Sequence, residues 1–190
     1  HMCHVSTAAS VRMIRQAKAA GIPVTAEVTP HHLLLSDEMI PGNDANYKMN
    51  PPLRSEADRQ ALIEGLCDGT IDCIATDHAP HTALEKAKGL CGSPFGITGS
   101  ETAFDTLYTT FVQGAQPRLT LTQLSNWMTA APARCFNFDS GTLLQGAAAD
   151  IAVFDMKTLT ITKADDVASK GHHRPLLGKT VYGHTIGTLV

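Results

Sequence analysis

Residues 71–81 read Ile71-Asp72-Cys73-Ile74-Ala75-Thr76-Asp77-His78-Ala79-Pro80-His81. The run Ile71–Thr76 has the composition of a buried strand, and it stops on an acid followed within four positions by His78 and His81. What precedes it sets its partners. Ser55 caps a helix over Glu56–Cys67, with Asp58 completing the capping pattern and Gly69 ending it. Val24–Thr29 is another β-rich run, closed by Pro30. Thr7 caps a helix to about Ala20 whose Ala8, Val11, Ile14 and Ala17 recur at helical spacing, and Gly21 closes it. Before that, Met2-Cys3-His4-Val5 is a short strand-like stretch. Strand, helix, strand, helix, strand in this order is the pattern of a parallel α/β sheet.

Downstream, a long connection runs from His78 to about Gly99, a length usually reserved for function. Helices are expected at Glu101–Gln113 and Thr120–Thr129, the second with a Thr120-x-x-Gln123 capping box. Near Asp139 the pattern changes to short β-like runs at Asp150–Asp155, Thr158–Thr162 and Lys179–Tyr182. Residues 1–138 therefore read as an α/β unit and 139–190 as a β-rich tail.

The chain has 190 residues, is 43% hydrophobic and 17% charged, and carries a formal net charge of −3. Such a length suits one domain, or one with a small appendage. Scattered Lys and Arg leave no basic footprint for nucleic acid. Leu33-Leu34-Leu35 falls far short of the ~18 apolar residues of a membrane span, so a soluble chain without a membrane partner is expected. Five cysteines (Cys3, Cys67, Cys73, Cys91, Cys135) form no CxxC pair, which argues for a reducing, cytoplasmic setting. His1-Met2 reads as the scar of a removed tag, and the chain is expected to start in mid-fold.

Groups at the carboxyl ends of parallel barrel strands converge on one rim. Asp77 ends one such strand and His4 another, so the two are expected side by side. Asp77 can serve as a metal ligand or as a general base. His78 should alternate away from it, while His81 is either solvated or turned to the rim. A His and an Asp suit an open zinc site, yet zinc takes at least three protein ligands and no convincing third stands out. His31 and His32 either reach the rim or pack behind it. Asn50, pinned by Pro51 and Pro52, offers a fixed amide that suits a ring of alternating N–H and C=O groups. In Pro94-Phe95-Gly96, Gly96 would let the backbone approach a ligand and its amide bind an anion.

Together, CHVSTAASVRMIRQAKAAG, VTAEVTPHHLLL, NYKMNPPLR, DGTIDCIATDHAPH, SPFGITGSETAF and GAAADIAVFD resemble the carboxyl-terminal half of the bacterial class I dihydroorotases, within the amidohydrolase superfamily. The resemblance implies a partial (β/α)8 TIM-type barrel of about the last three strands and their helices, with part of a small β-sandwich. It implies a zinc-dependent cyclic amide hydrolase that interconverts N-carbamoyl-L-aspartate and dihydroorotate in pyrimidine biosynthesis, usually with two zinc ions per complete site. His4 matches a zinc ligand, and Asp77 a zinc ligand that is also the catalytic base and acid. Asn50, His81 and the backbone of Phe95 and Gly96 match substrate-binding groups, and Thr82–Ser93 matches a mobile loop. The family's His-x-His pair, a further Asp and His, and an Arg beside the pair precede residue 1, so this chain alone is expected to be inactive. Alternatives are a non-catalytic module serving assembly, for instance with aspartate transcarbamoylase, or another cyclic amidase such as a hydantoinase. A homo-oligomer is expected in either case.

Overall fold

The computed structural model describes residues 1–163, 167–171, 175–176 and 178–190. Its first helix, α1 (Ala8–Ala19), starts where the Thr7 side chain accepts the Ser10 amide and ends at Ala20, with Gly21 following at φ 75°. The next strand, β1 (Glu27–Val28), leads at once into a single-turn helix, α2 (Pro30–Leu34), with proline in its first turn. Two 3-10 turns follow, Asp37–Met39 and Ala45–Tyr47. Ser55 caps α3 (Glu56–Cys67), and β2 (Cys73–Ile74) comes next.

The strands β1 and β2 pair in parallel, Glu27 with Cys73 and Val28 with Ile74. On the other side of β1, Met2 bridges Ala26 in parallel, and Val5 N–H donates to the Glu27 carbonyl at 2.9 Å. Three segments thus run side by side in the order the sequence pattern requires. They are shorter than the β-rich runs suggest, because a strand extends only as far as a neighbour can accept its hydrogen bonds. One face is sealed by α1 and α3 over Val5, Val11, Ile14, Val28, Leu62, Leu66 and Ile74. Gly65 permits this approach: a Cβ there would stand 3.1 Å from Val11 and 3.2 Å from Ile71.

The connection after Asp77 is not featureless. It holds two single-turn helices, α4 (Ala83–Lys86) and α5 (Gly89–Gly92), the first with a full Thr82/Glu85 capping box. Beyond it, α6 (Ala103–Phe111) follows a 3-10 turn at Ser100–Thr102, and α7 (Leu121–Met128) carries the expected Thr120/Gln123 box. The sequence reading has no helix at α8 (Ala130–Phe136). Pro132 masks it, although a proline in the first turn removes only an amide that has no helical partner.

Asn137 at φ 55° ends α8, and the described regular elements beyond it are strands. There β3 (Ile151–Asp155) pairs antiparallel with β6 (His184–Leu189), and β4 (Thr160–Ile161) with β5 (Thr180–Val181). The strand β6 goes unread in the sequence, since Gly187 interrupts its apolar alternation and the ladder shifts register at Val153/Phe154. This tail leans on α6: Phe154 stacks on Phe104 with centroids 4.0 Å apart, and the Tyr182 amide donates to Thr109 Oγ1 at 2.8 Å. All five cysteines are free thiols. Among the described residues, no helix is long and apolar enough to cross a membrane.

Candidate functional site

His4 and Asp77 follow the paired residues of the two segments that flank β1, and both turn into the left-handed region, at φ 52° and 47°. Non-glycine residues rarely sit there, and such strain gathers at functional sites. The turn swings both side chains over the strand ends, where His4 Nε2 stands 3.5 Å from Asp77 Oδ1. Burial pushes the Asp77 carboxyl above its ordinary range, His4 pulls it down, and Glu27 pushes it up again.

Glu27, buried on β1, completes this rim. Its Oε1 lies 2.8 Å from His4 Nδ1 and its Oε2 lies 3.0 Å from His1 Nε2. The Nδ1 contact is off the ring's donor direction, so His4 Nδ1 remains buried without a well-formed hydrogen bond. His31 Nε2 is buried without one as well. The sequence reading leaves Glu27 out, although a lone acid inside the run Val24–Thr29 is the mark that could have found it. His1, Cys3 and Glu27 also bring ligand atoms within 4.8 Å of one another, one step back along the strands.

His31 and His32 are both buried in α2. His32 is tied at both ring nitrogens, 2.6 Å from Thr29 Oγ1 and 2.9 Å from the Pro51 carbonyl. Burial lowers His31 well below its ordinary value and His32 to about 4, so both are neutral near pH 7. His32 thereby tethers the Asn50-Pro51 link, which is cis, to the rim, while Asn50 itself is exposed.

His81 and the Pro94-Phe95-Gly96 turn also come together. His81 Nε2 is 2.8 Å from the Phe95 carbonyl, and a Cβ on Gly96 would meet the Ala79 carbonyl at 2.6 Å. One expectation is corrected here. The Gly96 amide is not free to bind an anion, because it donates to the Lys48 carbonyl at 3.0 Å. His78 turns away from Asp77, as alternation requires, and its Nδ1 takes the amides of Gly99 and Ser100 at 3.2 Å.

The donor set at the rim fits a metal ion. Two ligands about 2.1 Å from a tetrahedral zinc stand about 3.4 Å apart, close to the His4–Asp77 separation. His31 Nε2, buried without a hydrogen bond and close enough to His4 to feel its charge, is a further nitrogen short of a partner.

The chain has relatives among curated proteins and solved structures. A dihydroorotase of Bacillus caldolyticus and one of Geobacillus kaustophilus are each 60% identical over 190 residues, all of this chain and 44% of theirs. One from Staphylococcus aureus is 56% identical over the same span. The chain therefore spans less than half the length of these curated relatives. Among solved structures, a D-hydantoinase (dihydropyrimidinase) from Thermus sp. superposes with a TM-score of 0.89 at 25% identity, covering 99% of this chain and 42% of that one. An L-hydantoinase from Arthrobacter aurescens gives 0.87 at 31% identity, covering 99% and 42%. The relatives and the family model match from residue 1 onward, so His1 and Met2 lie within the matched region. The amidohydrolase family model matches residues 1–177, and the chain belongs to that family.

Proposed function

We propose that this chain is the carboxyl-terminal part of a zinc-dependent dihydroorotase, acting on the cyclic amide of dihydroorotate and in reverse on N-carbamoyl-L-aspartate. Residues 1–138 supply about three strands of a (β/α)8 barrel and 139–190 part of a small β-sandwich. Met2 and Cys3 lie exposed on the segment beside β1, an open sheet edge that further strands would cover. The single observation that carries the reading is the convergence of His4 and Asp77 at 3.5 Å, both from left-handed strand-end turns.

His4 and Asp77 would hold zinc, with the remaining ligands drawn from sequence outside these 190 residues. When bound, zinc makes hydroxide available near neutral pH. Asp77 takes the proton from the attacking nucleophile and delivers it to the departing ring nitrogen. His81 neutralises the substrate carboxylate. Asn50 reads the ring amide as donor and acceptor, and the Phe95-Gly96 backbone closes on the same substrate once the Gly96 amide leaves the Lys48 carbonyl. Identity favours this substrate over a hydantoin, at 56–60% to dihydroorotases against 25–31% to the two hydantoinases. The setting is cytoplasmic and the assembly a homo-oligomer, with aspartate transcarbamoylase as the candidate protein partner.

The test is reconstitution. This chain is co-expressed with the amino-terminal part of the Bacillus caldolyticus relative, and dihydroorotate hydrolysis is assayed with zinc. Activity that appears with wild type and vanishes with Asp77→Asn supports the reading. A folded, zinc-loaded complex without activity would favour the assembly module instead.

A further inference from the structure

A carboxylate buried as deeply as Glu27, 5% exposed, is costly unless its oxygens are engaged. One is hydrogen-bonded, and the other faces a histidine without an aligned bond. Oε2 belongs to His1, whose Nε2 is 3.0 Å away and whose Nδ1 is fixed by Thr25 Oγ1 at 2.7 Å. Oε1 is left facing His4 Nδ1 at 2.8 Å. Register alone, with Met2 opposite Ala26, puts His4 opposite Val28 and on the other face from Glu27; the left-handed turn at His4, φ 52°, carries its ring back toward Glu27 Oε1.

The His4 ring thus lies between two carboxylates, Glu27 at Nδ1 and Asp77 at Nε2. A neutral imidazole carries one proton, and the group facing one nitrogen decides which nitrogen keeps it. A carboxylate at Nδ1 holds the proton there and leaves the Nε2 lone pair free on the Asp77 side. Histidines that ligate metals commonly donate their other N–H in this way, which fixes the ring and strengthens the ligand.

We propose that Glu27 is a positioning residue that takes the Nδ1–H of His4, sets its tautomer and presents Nε2 to the metal site. The proposal rests on His4 being a metal ligand. At 2.8 Å the Nδ1 contact already has hydrogen-bond length and lacks alignment, which a ligand at Nε2 would impose on the His4 ring.

The experiment uses the reconstituted complex and zinc alone, without substrate. Zinc affinity is measured by competition with a chromophoric chelator for wild type, Glu27→Ala and Glu27→Gln. Glu27→Ala should bind zinc about 10- to 100-fold more weakly. Glu27→Gln keeps the size and a carbonyl acceptor, and should recover most of that loss. Nitrogen-15 shifts of the His4 ring in the zinc-loaded wild type, a readout that needs no variant to fold, should show a protonated Nδ1 and a ligated Nε2. Unchanged affinity in Glu27→Ala, or zinc on Nδ1, overturns the role of Glu27 and leaves the metal site standing. Failure of the wild-type complex to bind zinc overturns the site reading and this inference together.

Discussion

The rim at the strand ends and the outer segment from His81 to Gly96 carry similar side chains but use them in opposite ways. At the rim, the ladder of β1 and β2 fixes the backbone, so His4 and His31 keep buried nitrogens without hydrogen-bond partners. In the outer segment no sheet fixes the chain, and the polar groups hold it together. His81 engages the Phe95 carbonyl, the Gly96 amide engages Lys48, and the Lys86 ammonium donates to the carbonyls of Lys48 and Pro94. A buried polar group without a partner is costly, and the rim keeps such groups poised, His4 Nδ1 beside Glu27 and His31 Nε2 still to be paired. A satisfied group must break a bond before it can do anything else. The rim is therefore built to receive, and the outer segment to rearrange.

The largest effect should come from the rim. In the reconstituted enzyme, Asp77→Asn should lower kcat by about 10²–10⁴-fold, the range of a lost general acid–base group. The side chains are nearly the same size, so the melting temperature should hardly move. A variant that keeps a tenth of wild-type activity would remove the distinction between the two regions. Second comes Gly96→Ala in the outer segment. Gly96 sits at φ 132°, and its added Cβ would lie 2.6 Å from a backbone oxygen and 2.7 Å from Ala79 Cβ. Strain and overpacking together should cost about 2–4 kcal/mol in urea denaturation. A loss under 0.5 kcal/mol would mean that the segment shifts freely.

The two regions were unequally legible in the sequence. Caps, glycine stops and β-rich runs are local signals, so α1, α3, α7 and the parallel order of the strands could be read directly. The meeting of His4 with Asp77 followed from topology, since parallel strands end on one side. Glu27 was missed because its meaning depends on register and on one turn: the pairing of Met2 with Ala26 sets Cys3 opposite Glu27, and the left-handed turn at the next residue brings the His4 ring to it. The Gly96 amide was misread because its acceptor, Lys48, is far away in sequence and its bond depends on how the connection folds. Helix α8 was hidden by Pro132, a residue whose effect depends on which turn it occupies.

Acid should weaken the support behind the rim. Folded His32 takes its proton only near pH 4, whereas the unfolded chain takes it near 6.5. Between those values the unfolded state binds more protons, so stability is full above pH 6.5 and falls as the pH drops toward 4. From pH 6.5 to 5, His32 alone should remove about 2 kcal/mol, and His31 adds to the loss in the same direction. Urea midpoints at pH 7, 6 and 5 measure this, and a flat profile would contradict the buried, neutral pair. Over that window the carboxyls of Glu56 and Asp58, held low by hydrogen bonds, stay ionised.

The smallest effect separates the regions most cleanly. Lys86 is buried, and its Nζ donates to the Lys48 carbonyl at 3.1 Å and the Pro94 carbonyl at 3.2 Å, while Ser93 Oγ returns a bond to the Lys86 carbonyl at 3.0 Å. Burial lowers its pKa, so the ammonium already carries a desolvation cost that offsets part of these bonds. Lys86→Met keeps the packed stem and removes the donor. The Lys48 carbonyl still has the Gly96 amide, whereas the Pro94 carbonyl loses the ammonium. The net cost should be about 1 kcal/mol, the ordinary worth of a hydrogen bond. The loss should stay local: amide hydrogen exchange should quicken about fivefold across residues 83–93 and remain unchanged at Val28 and Ile74. Faster exchange in both places would mean that strand ends and outer segment unfold as one unit. No change in either would mean that the ammonium holds nothing.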